Sequence, residues 1–93
     1  MTTELEAWLA QTAEDPIDPE LSICDPHHHF WKSFWGPPGG SYLLPDLLRD
    51  TGGGHRIART VFVECSAEYR TGGPESIRPV GETEWVRDIA AQA

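Results

Sequence analysis

Two short apolar runs, 21–25 (LSICD) and 59–65 (RTVFVEC), have the character of β-strands and lie much further apart in the chain than a hairpin allows. Strands joined by so long a connection pair in parallel, through a right-handed crossover. Parallel sheets are normally covered on both faces and contain more than two strands. The spacing therefore predicts an α/β fold in which these two strands begin a larger sheet.

Helical signals flank both runs. Thr3 and Glu6 form a capping box that predicts a helix near residues 4–12. Pro45 suits the first turn of a second helix, which the glycines of TGGG end. A third helix is predicted over 82–92, where apolar residues recur at helical spacing. The order of elements is thus helix, strand, helix, strand, helix.

The composition limits the size of the core and the class of partner. With 93 residues, 39% of them apolar, nine glycines and eight prolines, the chain is expected to bury only a small core. Its formal net charge of -8 argues against nucleic acid or an anionic membrane surface as a partner, because binding to either needs clustered Lys and Arg. Two cysteines and no leader-like start favour a reduced, soluble, cytoplasmic protein.

The stretch CDPHHHFW begins with the last two residues of the first predicted strand. Residues two apart in a strand point to the same side, so Asp25, His27 and His29 are expected to face one way and His28 the other. Two imidazoles at that spacing can bind one divalent ion, with Asp25 as a further ligand or an orienting group. The alternative is a structural role, in which the histidines hydrogen-bond loop carbonyls and never bind a metal.

Together with its surroundings, this stretch resembles the amidohydrolase-related family of the metal-dependent amidohydrolase superfamily, in its lactonase-like branch. DPHHHFW is similar to that family's opening after the first barrel strand, and LLPDLL followed by TVFVEC is similar to its first helix and second strand. The resemblance covers residues 21–93 and leaves 1–20 as an N-terminal helix and linker. It implies a partial (β/α)8 TIM barrel, comprising the first two βα units, with the site at the carboxyl ends of the strands.

The resemblance also implies the roles of particular residues. His27 and His29 would bind a divalent metal, usually zinc, which polarises a carbonyl or lowers the pKa of a bound water. Asp25 and Glu64 would support that site, although Glu64 could equally be a loop-anchoring carboxylate. Trp31 and Trp35 would wall the pocket of a small lactone, ester or amide-type substrate, or else pack a loop. The family draws its other ligands from later strands, so this part alone is expected to be inactive.

Other residues are expected to lie outside the site. His55 follows TGGG at the opposite end of the strands and should face solvent. Cys24 and Cys65 are interpreted as small packing residues.

A different class of hypothesis is a small metal-binding or interaction module that self-associates through open sheet edges. A third is a gene remnant without a function of its own.

Overall fold

A computed structural model describes residues 3–32 and 40–93 of the protein. These residues form a mixed α/β structure of three α-helices and a two-stranded parallel sheet. Among the described residues, no helix has the length and the apolar character that a membrane crossing requires. In chain order the elements are α1 Glu4–Ala10, β1 Ser22–His28, α2 Leu44–Thr51, β2 Arg56–Phe62, a 3-10 turn Glu75–Ile77 and α3 Val80–Ala90.

The first helix begins as its capping box predicts. The Thr3 hydroxyl accepts a hydrogen bond from the Glu6 amide at 3.1 Å, and the Glu6 carboxylate accepts one from the Thr3 amide at 2.7 Å. The bond from the Thr3 amide lowers the pKa of Glu6. No residue of α1 is buried, so the cap and not packing defines where this helix begins.

The predicted parallel pairing is confirmed, because Ser22 lies opposite Arg56 and His28 opposite Phe62. The prediction that the first strand ends at Asp25 is wrong, since β1 continues through Pro26 to His28. The ladder is irregular between Asp25 and His28. A proline lacks the amide hydrogen that a regular ladder needs, and this irregularity lets the strand pass through it.

The second strand lies earlier in the sequence than its apolar run predicts. It spans Arg56–Phe62, so Glu64 and Cys65 follow the strand, and the prediction that the strand extends to Cys65 is wrong. The Val63 amide still donates to the His28 carbonyl at 2.9 Å. The Val63 carbonyl, however, accepts a hydrogen bond from the His29 side chain, and the ladder ends there.

The core is small and centred on Phe30. Phe30, Leu47 of α2 and Ile89 of α3 are the buried hydrophobic residues of the described ranges. The Phe30 ring stacks on Phe62 at 5.8 Å between centroids and meets Trp85 edge-on at 6.4 Å. The radius of gyration is 16.2 Å, whereas a compact domain of this length has about 12 Å. Large apolar side chains such as Trp8, Leu9 and Leu21 are more than half exposed, so the described residues leave much apolar surface open, as the small predicted core implies.

Candidate metal-binding site

Two of the three consecutive histidines meet at the carboxyl end of β1. The Nε2 atoms of His27 and His29 are 3.0 Å apart, and their rings are nearly perpendicular, with centroids 4.8 Å apart. His28 lies between them in sequence and packs edge-on against Phe30 and Phe62. The alternation expected from the strand thus brings His27 and His29 to one side and sends His28 to the other.

The other ring nitrogen of His29 determines its tautomer. Nδ1 lies 2.7 Å from the Val63 carbonyl oxygen. A carbonyl can only accept, so Nδ1 of His29 carries a hydrogen, and in the neutral ring Nε2 is left with a lone pair. That lone pair is directed at Nε2 of His27. The two nitrogens then either share a hydrogen, donated by His27, or both direct lone pairs at one cation.

Trp31 packs against the ring of His29, and Tyr42 holds the backbone of Trp31. The Trp31 ring stacks on His29 with an interplanar angle of 28° and centroids 5.6 Å apart. Trp31 and Tyr42 also exchange backbone hydrogen bonds of 3.0 and 2.9 Å. Trp31 therefore contacts a predicted ligand directly, while Trp35, the second predicted pocket residue, lies outside the described residues.

Asp25 and His28 flank the pair in different ways. The Asp25 carboxylate accepts a hydrogen bond from the His27 amide at 3.1 Å, so it orients the backbone of a predicted ligand. Burial lowers the pKa of His28, which favours its neutral form. No polar atom of the described residues reaches Nδ1 of His28, which is buried. His28 thus contributes to the aromatic packing beneath the site.

Glu64 makes the contacts of a loop-anchoring carboxylate. It accepts hydrogen bonds from the Ser66 amide at 2.9 Å, from the Ser66 hydroxyl and from the Tyr69 hydroxyl. The Tyr69 bond, followed by the Ser66 amide, lowers the pKa of Glu64, and the same bond raises the pKa of Tyr69. Of the two roles expected for Glu64, these contacts match the anchoring one.

The histidine pair forms part of the wall of an open cleft of about 360 Å³. The opposite wall belongs to α2, where the Tyr42 hydroxyl donates to Asp50 at 2.5 Å. Burial and this bond raise the pKa of Tyr42 to about 12, so the phenol keeps its hydrogen at neutral pH. The cleft is lined by Asp25, His27, His28, His29, Trp31, Tyr42, Leu47, Asp50, Thr51 and Ile57.

The pair has the geometry of two ligands of one ion. Zinc–imidazole bonds of about 2.0–2.1 Å at a tetrahedral angle place two nitrogens about 3.3 Å apart. The 3.0 Å between the Nε2 atoms is within a small side-chain rotation of that value. Across residues 3–32 and 40–93, no group of three or more His, Cys, Asp or Glu side chains is placed to bind one ion. Within the described residues, His27 and His29 therefore offer two potential ligands for one ion.

Sequence patterns missed Glu82, the buried charged residue behind the site. Its side chain is 3% exposed, and it accepts hydrogen bonds from the Cys65 and Ala67 amides. Burial and the Glu82 carboxylate raise the pKa of Cys65. A glutamate in an amphipathic helix is ordinarily exposed. The spacing of apolar residues in the predicted helix 82–92 therefore did not indicate that Glu82 is buried.

Of the three residues that the sequence placed outside the site, some lie where predicted and others do not. His55 is exposed at the amino end of β2, as expected. Cys65 is partly buried, whereas Cys24 is exposed. The interpretation of Cys24 as a packing residue is therefore wrong in the part of the chain that the structure describes. Cys24 lies on a face of β1 that no other described residue covers. No family model, curated protein or solved structure matches the chain.

Proposed function

We propose that this chain contributes a two-histidine metal-binding element to a hydrolase of the amidohydrolase-related, lactonase-like type. Its fold would be the first part of a (β/α)8 barrel, with the site at the carboxyl ends of the strands. The parallel pairing of β1 and β2 and the position of His27 and His29 at the end of β1 support this proposal. The substrate class is a small lactone, ester or amide.

The observation that carries the proposal is the 3.0 Å approach of the two Nε2 atoms together with the Nδ1 anchor of His29. Histidine ligands of metals characteristically donate their second ring nitrogen to a carbonyl or carboxylate, which fixes the direction of the lone pair. His29 does so through Val63. The free nitrogen of His29 then meets the second imidazole close to the separation expected for two ligands of one ion.

The other residues of the cleft have roles that agree with this chemistry. A bound divalent ion would polarise a substrate carbonyl or lower the pKa of a bound water. Asp25 would hold His27 in place through its backbone amide, and Trp31 would keep the His29 ring in its plane. The cleft volume is within the range of small-molecule sites, about 300–1,000 Å³. Hydrolysis also needs further ligands and an acid/base group held in register.

A cobalt or zinc titration of the purified protein tests the metal site. We expect His27→Ala and His29→Ala each to weaken binding at least tenfold, which is about 1.4 kcal/mol, because each removes one of two ligands. Calorimetry measures the affinity, and the visible spectrum of the cobalt form reports the ligand set. His55→Ala is the matched control, since His55 is exposed at the other end of the sheet. An unchanged affinity in both site variants would disprove the proposal.

A second candidate, an association-dependent module, is favoured by the apolar side chains that the described residues leave open. Ile17 is 101% exposed, Trp8 65% and Val61, within β2, 47%. Where such side chains form one contiguous patch, they mark a contact surface. Each strand also has one neighbour only in the described sheet, and unpaired strand edges invite another chain.

Light scattering coupled to size exclusion tests this candidate. We expect a second copy of the chain to associate, with an average mass that rises several-fold above the 10.3 kDa of one chain as the concentration increases. Val61→Lys should shift the population toward the single chain, whereas Thr83→Lys, on the exposed polar side of α3, should not. A single sharp monomer peak that unfolds cooperatively at all concentrations would exclude the candidate.

A further inference from the structure

Glu82 is a buried carboxylate in the first turn of α3. It is 3% exposed, and none of the ion pairs formed by the described residues includes it. Burying an isolated carboxylate is costly unless hydrogen bonds replace its hydration. The position of such a residue is therefore determined by what its oxygens bind.

One oxygen, Oε2, binds the loop that follows β2. It accepts hydrogen bonds from the Ala67 amide at 2.6 Å and from the Cys65 amide at 3.2 Å, and it lies 3.6 Å from the Cys65 Sγ. Two non-glycine residues of this loop have left-handed backbones, Ser66 with φ of 63° and Glu68 with φ of 57°. Such conformations cost about 1–3 kcal/mol each and persist only where neighbours enforce them. Glu82 is one of those neighbours.

The same loop carries the group that orients His29. The Val63 carbonyl, two residues before Cys65, accepts the hydrogen of His29 Nδ1 at 2.7 Å. The Cys65 thiol also lies 3.6 Å from the Phe30 carbonyl, next to His29 in the chain. Glu82 is thus linked to His29 by its hydrogen bonds to the Cys65 and Ala67 amides, by the short backbone segment back to Val63, and by the bond from His29 to the Val63 carbonyl.

We propose that Glu82 is a positioning residue for the histidine pair. It holds the loop after β2 so that the Val63 carbonyl meets Nδ1 of His29, and the lone pair on Nε2 is thereby directed at His27. The inference rests on the proposed metal site for its functional meaning. Its structural content, the tautomer of His29, is measurable without any metal.

Two conservative substitutions distinguish the effect of the Glu82 side chain's length from the effect of its charge. Glu82→Gln keeps a carbonyl oxygen at the position of Oε2 and removes the charge, whereas Glu82→Asp keeps the charge and withdraws both oxygens by one methylene. We expect Gln to leave the site unchanged and Asp to impair it, because the amides need an acceptor at that distance. Ile89→Ala is the stability control, since Ile89 is buried on the same helix without contacting the loop amides.

Ring nitrogen-15 shifts of the metal-free protein report the tautomer of His29. We expect the Nδ1–H form to dominate in the parent, in Glu82→Gln and in Ile89→Ala, and to fall to a mixture in Glu82→Asp. Zinc affinity should fall about tenfold in Glu82→Asp, within the 10–100-fold range for groups that orient ligands. In Glu82→Gln it should stay within about twofold of the parent.

The two readouts distinguish failure of this inference from failure of the proposed function. If the parent binds no zinc but Glu82→Asp still changes the tautomer, the metal site is wrong and the positioning role stands. An unchanged tautomer in Glu82→Asp, or an equal change in Ile89→Ala, overturns the positioning role whatever the zinc result. An equal change in Glu82→Gln overturns the assignment of that role to side-chain length.

Discussion

Phe30→Ala is expected to lower the free energy of unfolding by about 3–5 kcal/mol, the cost of removing a buried phenylalanine. Phe30 is 3% exposed, and its ring contacts Phe62 and Trp85. Domains are stable by about 5–15 kcal/mol in total, and a chain with so few buried residues belongs at the low end of that range. We therefore expect the variant to keep only about 0–2 kcal/mol of stability and to unfold at a much lower urea concentration than the parent, as measured by circular dichroism.

Leu48→Ala provides the matched control for that titration. Leu48 is on α2 beside the buried Leu47 but is itself 54% exposed. Its truncation should change the free energy of unfolding by no more than about 0.5 kcal/mol. If the two variants unfolded at the same urea concentration, Phe30 would not be the centre of the core.

Gly81→Ala is expected to destabilise the protein by about 3 kcal/mol, at the upper end of the range for overpacking. A Cβ at this position would lie 2.7 Å from the Glu68 carbonyl oxygen and 2.7 Å from the Arg70 amide nitrogen. Both are backbone atoms, so neither can rotate away. The first turn of α3 and the loop after β2 would have to separate, and urea unfolding measures the cost.

Gly72→Ala tests whether the effect at Gly81 comes from close approach. A Cβ at Gly72 would meet nothing within 4 Å, and its backbone is not left-handed. Removing a glycine at such a position restricts the unfolded chain and stabilises by about 0.4–1 kcal/mol. The two substitutions should therefore change stability in opposite directions. A similar loss in both would mean that the close contact at Gly81 is not what constrains α3.

Sequence patterns were sufficient to predict the features that depend on neighbouring residues or on chain connectivity. The capping box at Thr3 located the first helix, and the period of two in DPHHH brought His27 and His29 together. The number of residues between the two apolar runs was enough to predict parallel pairing, because no hairpin could join them. Each of these follows from residues that are neighbours in sequence or from chain connectivity.

The features that sequence patterns missed depend on contacts between distant residues. β2 stops at Phe62, although its apolar run continues, because the Val63 carbonyl is bound by the His29 side chain. Glu82 is buried because the amides of a loop that precedes it by fifteen and seventeen positions require an acceptor. Neither effect changes the hydrophobic period of the segment in which it occurs.

The parallel register has a kinetic consequence. Pairing Ser22 with Arg56 closes a loop of 34 residues, the difference between the two numbers. Such a closure costs about 3 kcal/mol of chain entropy beyond a constant term, and contacts that are distant in sequence slow folding. His29 lies within the segment that this pairing closes, and Val63 lies beyond it. We therefore expect their hydrogen bond to form when the two strands pair. The histidine pair thus becomes ordered only as the sheet itself forms, and any ion that binds it would accelerate folding if it also bound the closing transition state.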